Sequence, residues 1–121
     1  MDPEIVVLHR LIERELLARL VHAWFGDMVK YVVDLERQRA AVGGQLHADA
    51  AQVLLADGSR QVDLWGANYY PGLGSNAIEF TALVNIRPAQ GNRSMEIEDE
   101  SIRERVRLLT ERLLGQGEAL P

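Results

Sequence analysis

The sequence predicts an α+β fold in which a small antiparallel sheet of about three strands packs against N-terminal helices and a C-terminal helix. Three observations support this class. Apolar residues recur at helical spacing near both ends of the chain, β-branched runs occur between them, and a segment rich in turn formers joins two of those runs. The 121 residues match the size of one domain, so we treat residues 1–121 as a single domain.

The N-terminal part of the chain is predicted to form one strand followed by helices. Residues 5–8 are a short β-branched run, typical of a strand. Residues 16–24 place apolar side chains at helical spacing. The same periodicity continues over residues 28–35, and Asp27 is a plausible N-cap for a second helix. The sequence leaves open whether residues 16–43 form two helices or one helix bent at Gly26; in either case Gly43 and Gly44 end the helical segment.

Two further helices are indicated by their caps. Asp49 is placed to cap a short helix with an apolar centre at residues 53–55, and Gly58 suits the left-handed position that ends it. Asp99 or Ser101 is placed to cap the last helix, whose apolar residues recur every three or four positions.

A β-hairpin is predicted between these two helices. Residues 61–69 and 77–87 are the strand candidates, and residues 71–76 between them are dense in glycine, proline and asparagine. The second candidate alternates regularly, which puts one set of side chains on the helices and leaves the other sheet face either solvated or a contact surface.

Composition limits the class of protein and its surroundings. The hydrophobic fraction of 47% and the charged fraction of 26% are those of an ordinary globular domain, and the net charge of -5 argues against binding to nucleic acid. The absence of cysteine excludes disulfides, thiolate zinc sites and cysteine nucleophiles. Because there is neither a membrane-length apolar run nor a positive region in residues 1–4 typical of a signal peptide, we expect a cytoplasmic protein without membrane contact.

Recognised catalytic signatures are missing from the sequence, so whether the protein is an enzyme stays open. There is no P-loop, no glycine-rich dinucleotide fingerprint, no serine nucleophile elbow and no metalloprotease motif. We predict no cofactor and no bound metal.

The strongest candidate for a ligand site is the polar segment of residues 85–94. Its candidate ligand-binding residues are Asn85, Arg87, Gln90, Asn92, Arg93 and Ser94. Guanidinium groups, side-chain amides and free backbone N–H groups bind phosphate or carboxylate well. The alternative is a structural loop in which the two arginines bond to loop carbonyls or pair with acidic neighbours.

A second candidate contains the residues that could carry out proton transfer. His47 and Asp49 alternate onto one side if the segment is extended, as a base and its orienting carboxylate or as two metal ligands. A metal would need a third ligand, for which Asp63 and Glu79 are the candidates. The alternative is that Asp49 caps the short helix and His47 is a half-buried, hydrogen-bonded residue.

A third candidate is the aromatic strand around Trp65. Trp65 and Tyr69 share one face and could line a ligand pocket or an interface, or they could simply pack across the hairpin. Gly66 between them is predicted to permit a bulge or the close approach of another group.

Several of these segments together resemble a known family. The segments are residues 24–30, 33–34, 43–49, 58–61, 64–66 and 85–94, of which the last is the most specific. They resemble a small bacterial family, common in cyanobacteria, that is filed as a domain of unknown function. The resemblance implies a bacterial source and no particular activity.

Two functional hypotheses follow. The first is a small homo-oligomeric binding or interaction module, which is consistent with the missing signatures and with the frequency of two-fold dimers among soluble proteins. The second is an enzyme or sensor for a small anionic ligand, phosphate-like or nucleotide-like, held by the loop of Arg87 and Arg93. Convergence of Arg87, Arg93, His47 and Asp63 on one concavity would favour the second.

Overall fold

A computed structural model describes residues 5–121 as a five-stranded antiparallel sheet with helices on both faces. The elements are β1 (Val6–Leu8), α1 (Arg14–Trp24), β2 (Val29–Asp34), β3 (Arg39–Val42), α2 (His47–Ala56), β4 (Leu64–Tyr69), β5 (Ile78–Glu79) and α3 (Glu100–Leu113). The strand order is β1-β3-β2-β4-β5. The α+β class is confirmed, whereas the expected number of about three strands is too low. The signal-peptide prediction concerns residues 1–4, which lie outside the described residues.

The sheet lies between two layers of helices, each with its own apolar cluster. Tyr31 and Val33 of β2 point into the cluster that contains buried side chains of α1 and α3. Val32, between them, points into the smaller cluster formed with α2. The prediction of an uncovered sheet face is therefore wrong, because α2 and the segment around Val84 cover the second face.

The prediction of a helix over residues 28–35 is wrong, and this difference changes the fold more than any other. These residues form β2, which turns back through residues 35–38 into β3. Burial on both faces makes β2 apolar at successive positions and removes the alternation by which a strand is usually recognised. The turn contains no glycine to mark it in the sequence. Its left-handed position is occupied by Gln38, at φ 56°.

A buried carboxylate holds this turn in place. Asp34 is fully buried, and its Oδ1 accepts hydrogen bonds from the backbone N–H groups of Glu36 (3.0 Å) and Arg37 (2.9 Å). Its Oδ2 accepts from the hydroxyl of Ser59 at 2.5 Å. The turn that follows β2 is thus tied to the chain that follows α2.

The helix boundaries agree with the sequence in part. Helix α2 begins at His47, and its N-cap Leu46 makes no side-chain cap bond, so the prediction that Asp49 caps it is wrong. Gly58 ends this helix as predicted, with φ 104°. Asp99 caps α3, because its Oδ1 accepts from the backbone N–H groups of Ser101 (2.8 Å) and Ile102 (3.2 Å).

The hairpin of β4 and β5 is antiparallel as predicted, but β5 is much shorter than expected. It covers two residues, opposite Asn68 and Tyr69 of β4. The chain then leaves the sheet and forms a 3-10 turn at Leu83–Asn85. Among the described residues, no helix has the length and apolarity that a membrane span requires.

Candidate functional site

The outer edge of β4 is completed by side chains where β5 stops. The amide of Asn85 lies against Gly66, where its Oδ1 accepts from the Gly66 N–H (2.8 Å) and its Nδ2 donates to the Gly66 carbonyl (2.9 Å). The same Nδ2 donates to the carbonyl of Met95 at 3.1 Å. Asn85 is fully buried. Its side chain therefore takes the position that the backbone of a neighbouring strand would occupy.

Arg87 covers the same edge of β4 two residues earlier, at Leu64. Its guanidinium donates to the carbonyls of Gln61 (2.5 Å) and Leu64 and lies 4.2 Å above the centre of the Trp65 ring. Gln90 adds a hydrogen bond from its Nε2 to the carbonyl of Val62 at 3.0 Å. Burial lowers the pKa of Arg87 from its usual value. Both of its terminal nitrogens thus hold the loop, one against the first residue of β4 and the other against the 3-10 turn that precedes β4.

The rest of the polar loop is bonded to itself. Nδ2 of Asn92, which is buried, donates to the carbonyls of Asn85 (2.8 Å) and Glu96 (2.8 Å). The carboxylate of Glu98 accepts from the backbone N–H groups of Arg93 (2.8 Å) and Ser94 (2.9 Å) and from the Ser94 hydroxyl (3.0 Å). These donors lower the pKa of Glu98. The side chain of Arg93 is exposed to solvent.

Gly66 is required by the close packing of the chain above it. A Cβ at this position would lie 2.7 Å from Cβ of Ala82 and 2.9 Å from Cγ2 of Val84. The close approach that the sequence predicted at this glycine is thus confirmed, and it brings residues 82–85 directly onto β4.

A cavity of about 270 Å³ lies where this segment meets the start of α2; we call it the His47 cavity. Its polar lining comes from Lys30, His47, Asn68 and Thr81, and its apolar lining from Leu46, Ala48, Ala82, Leu83, Val84 and Met95. His47 is buried, and its Nε2 lies 2.9 Å from the carbonyl of Ala67. Because a carbonyl can only accept, Nε2 carries the proton. Burial lowers the pKa of His47.

The three candidates for proton transfer do not come together. Asp49 is exposed and follows His47 by two positions on a helix, where the two side chains diverge. Asp63 lies 3.8 Å from Nε of Arg60. Neither carboxylate lines the His47 cavity, and neither does Arg87 or Arg93. Within residues 5–121, no three His, Cys, Asp or Glu side chains are grouped as a metal site would require.

The sequence reasoning missed Lys30, Asn68 and Thr81 as cavity residues. Asn68 is the most informative, because it is a buried amide near the end of β4. Its Nδ2 donates to Oε1 of Glu79 at 2.7 Å, whereas its Oδ1 is buried without a hydrogen-bond partner. An asparagine inside an otherwise apolar strand was the available signal.

A second concavity, the α2 groove, has a volume of about 260 Å³ and lies on the other side of Leu83. It is lined by Ala48, Ala51, Gln52, Leu55, Gln61, Leu64, Leu83, Val84, Ile86 and Arg87. Leu83 stands between the groove and the His47 cavity with 69% of its surface exposed. Ile86 is 42% exposed. The two concavities therefore form one continuous and largely apolar surface.

The fold defines the class of protein: a small α+β domain with a largely apolar surface above the edge of its sheet. The chain belongs to the family described as "Protein of unknown function (DUF5674)", whose sequence model matches residues 6–113. The resemblance to a family of unknown function is thereby confirmed. No curated protein and no solved structure matches the chain significantly.

We predict that Asn85→Ala destabilises the fold by about 2–5 kcal/mol, because the variant leaves the buried N–H and C=O of Gly66 without partners. Urea unfolding measures the loss. Asn76→Ala is the control, since Asn76 lies exposed in the turn Gly74–Asn76 and its removal should change stability by less than about 0.5 kcal/mol. Equal effects of the two substitutions would show that the Asn85 amide is not needed at the sheet edge.

We also predict that His47 makes the fold less stable in acid. Its folded-state pKa lies below the ordinary value of 6.5, so the unfolded chain binds more protons between the two pKa values. Stability therefore falls as the pH drops through 6.5 towards the folded-state pKa. His47→Gln, which keeps a donor for Ala67, should show a smaller loss between about pH 7 and about pH 5 in thermal unfolding.

His22→Gln is the control for this pH dependence, because His22 is exposed on α1. It should keep the wild-type slope of stability against pH. If His47→Gln also keeps that slope, the buried imidazole is not the source of the acid sensitivity.

Proposed function

We propose that the protein is a small binding module that acts as a homodimer and that its two copies meet at the α2 groove. The observation that carries the proposal is the exposure of Leu83. A leucine with 69% of its surface in solvent, beside an apolar groove, is costly to keep hydrated. Burial of this side chain against a second copy would remove that cost.

The surface has the shape that a two-fold contact needs. In an isologous dimer each copy offers the same patch, so the patch must contain both a projection and a place to receive it. Leu83 is the projection, and the α2 groove between Ala51, Leu55 and Ile86 is the place. Its volume of about 260 Å³ has room for one leucine side chain.

The charges of the groove are also compatible with a second copy. Arg87 is the one charged residue among those that line it, and its guanidinium is stacked on Trp65 and bonded to backbone carbonyls. Depletion of charge is typical of the centre of an interface. The net charge of -5 makes two copies repel at a distance, but within residues 5–121 no acidic side chain lines the groove.

The surroundings we propose for this dimer are the cytoplasm of a bacterium. That proposal is supported by the composition and by the resemblance of the sequence segments. The second hypothesis, a phosphate-like or nucleotide-like ligand at the loop of Arg87 and Arg93, stays a prediction. The bonds of Arg87 to Gln61 and Leu64 leave the exposed Arg93 as its main remaining support.

We predict that the wild-type chain has twice the monomer mass of 13.6 kDa in light scattering and that Leu83→Asp has the monomer mass. An aspartate at this position would place an unpaired charge in the centre of the contact. Leu108→Asp is the control, because Leu108 is 55% exposed on α3, away from the groove. This variant should remain a dimer.

Two results would overturn the proposal. One is a monomeric wild-type chain at every concentration tested, and the other is a dimer that Leu83→Asp leaves intact. Ile86→Asp is a second test of the same contact, because Ile86 lines the groove but not the His47 cavity. This variant should also weaken the dimer.

A further inference from the structure

Lys30 is the charged residue in the lining of the His47 cavity, and it is the only lysine in the sequence. It lies in β2 two positions before Val32, so its side chain points to the sheet face that α2 covers. Its neighbour across the sheet is Asn68, and both residues line the cavity beside His47, where α2 begins. The start of a helix carries the positive end of its dipole, so the helix adds to the charge of Lys30. Both features favour a negative group in this space.

No carboxylate of residues 5–121 forms an ion pair with this ammonium group. Its Nζ lies 5.0 Å from the centre of the Phe25 ring and remains accessible to solvent. The acidic side chain in the same row of the sheet is Glu79, opposite Asn68. Its Oε1 accepts from Nδ2 of Asn68 at 2.7 Å and from the hydroxyl of Tyr70 at 3.3 Å. Glu79 is thus bonded to other donors, and the charge of Lys30 is available to a ligand.

The donors of the cavity that a ligand can reach come from two side chains. Nε2 of His47 already donates to the carbonyl of Ala67, and Nδ2 of Asn68 is used in the bond to the carboxylate. Oδ1 of Asn68 is enclosed and cannot be reached from the cavity. Thr81 differs, because its hydroxyl makes no hydrogen bond to any other described residue. Lys30 and Thr81 therefore supply the accessible donors, and a carboxylate, which only accepts, suits both.

The rest of the lining is apolar. Leu46, Leu83 and Met95 stand at the rim, each with a large part of its surface in solvent, and Ala82 and Val84 form the wall next to β4. The volume of about 270 Å³ lies just below the range of about 300–1,000 Å³ for drug-sized ligands, so the space suits one small ring or branched chain. An apolar group placed there would remove its own surface and that of the rim from water.

We propose that the His47 cavity binds a small monocarboxylate with an apolar body, such as an arylacetate or a branched-chain acid. The carboxylate pairs with Lys30 at the rim, and the apolar body lies against Leu46, Leu83 and Met95. A partly exposed ion pair is weak by itself, so the apolar contact is needed to hold the ligand. The proposal goes beyond the homodimer and does not rest on it.

Phenylacetate and phenylacetamide test the role of the charge on the unaltered protein, because they share the ring and differ in the carboxylate. Isotope-labelled lysine gives one set of ε-methylene NMR signals, since the chain has one lysine. We expect phenylacetate to shift these signals and the backbone N–H signals of Thr81 and Leu83. It should bind at least about tenfold more tightly than the amide, because hydrogen bonds between charged groups are the stronger ones. Added salt should weaken the binding of phenylacetate and leave that of phenylacetamide unchanged.

Acetate tests the apolar part of the cavity. It has the carboxylate without the ring, so it should bind much more weakly than phenylacetate. A surface ion pair with Lys30 that does not involve the cavity would instead give acetate and phenylacetate the same affinity.

Three variants separate Lys30 from the rest of the surface. Lys30→Met keeps the length of the side chain without its charge, and it should bind the two ring probes equally, as followed at the backbone N–H signals of Thr81 and Leu83. Arg105→Met, on the exposed face of α3, should keep the wild-type preference for the acid. Ile86→Asp, in the α2 groove, should bind phenylacetate as the wild type does even where the dimer is lost.

The proposal is overturned if phenylacetate leaves the Lys30 signals unshifted at millimolar concentration, if phenylacetamide or acetate binds as tightly, or if Lys30→Met keeps the preference for the acid. Because the probes are compared first on the wild-type chain, a poorly folded variant does not remove the test. A monomeric wild-type chain would contradict the homodimer and leave this comparison unaffected.

Discussion

The bidentate contact between the side-chain amide of Asn85 and the backbone of Gly66 is the interaction on which the rest of the structure depends. It closes the edge of β4 where β5 ends, with bonds of 2.8 and 2.9 Å that reproduce those of a strand neighbour. Arg87 performs the same role at Leu64. An open edge on a buried strand would be prone to pair with other chains. These side chains occupy the edge without a further strand being needed there.

The same contact positions both concavities of the apolar surface. It draws residues 82–85 so close to β4 that only a glycine fits at position 66. The turn that results carries Leu83 outwards between the His47 cavity and the α2 groove. The dimer contact that we propose would therefore rely on a loop whose polar groups bond to the backbone beneath it.

Local patterns in the sequence predicted the elements that local chemistry determines. The β-branched run of β1, the periodicity of α1 and the Asp99 cap of α3 all depend on neighbours within a few residues. The β2–β3 hairpin was missed because both faces of β2 are covered by helices, which removes the alternation between polar and apolar residues.

At the candidate site, too, local sequence patterns were not enough to predict the contacts of the polar loop. The sequence located the cluster of residues 85–94, but the partners of Asn85 and Arg87 lie 19 and 23 positions away on β4, and no local pattern reports such distances.

Hydrogen exchange at the Gly66 amide tests the role of Asn85 most directly. The wild-type N–H should exchange as slowly as those of β4 residues paired with β2, and in Asn85→Ala it should exchange much faster while the β2–β4 pairs stay protected. Fast exchange at Gly66 in the wild-type protein would contradict the proposed closure of the sheet edge.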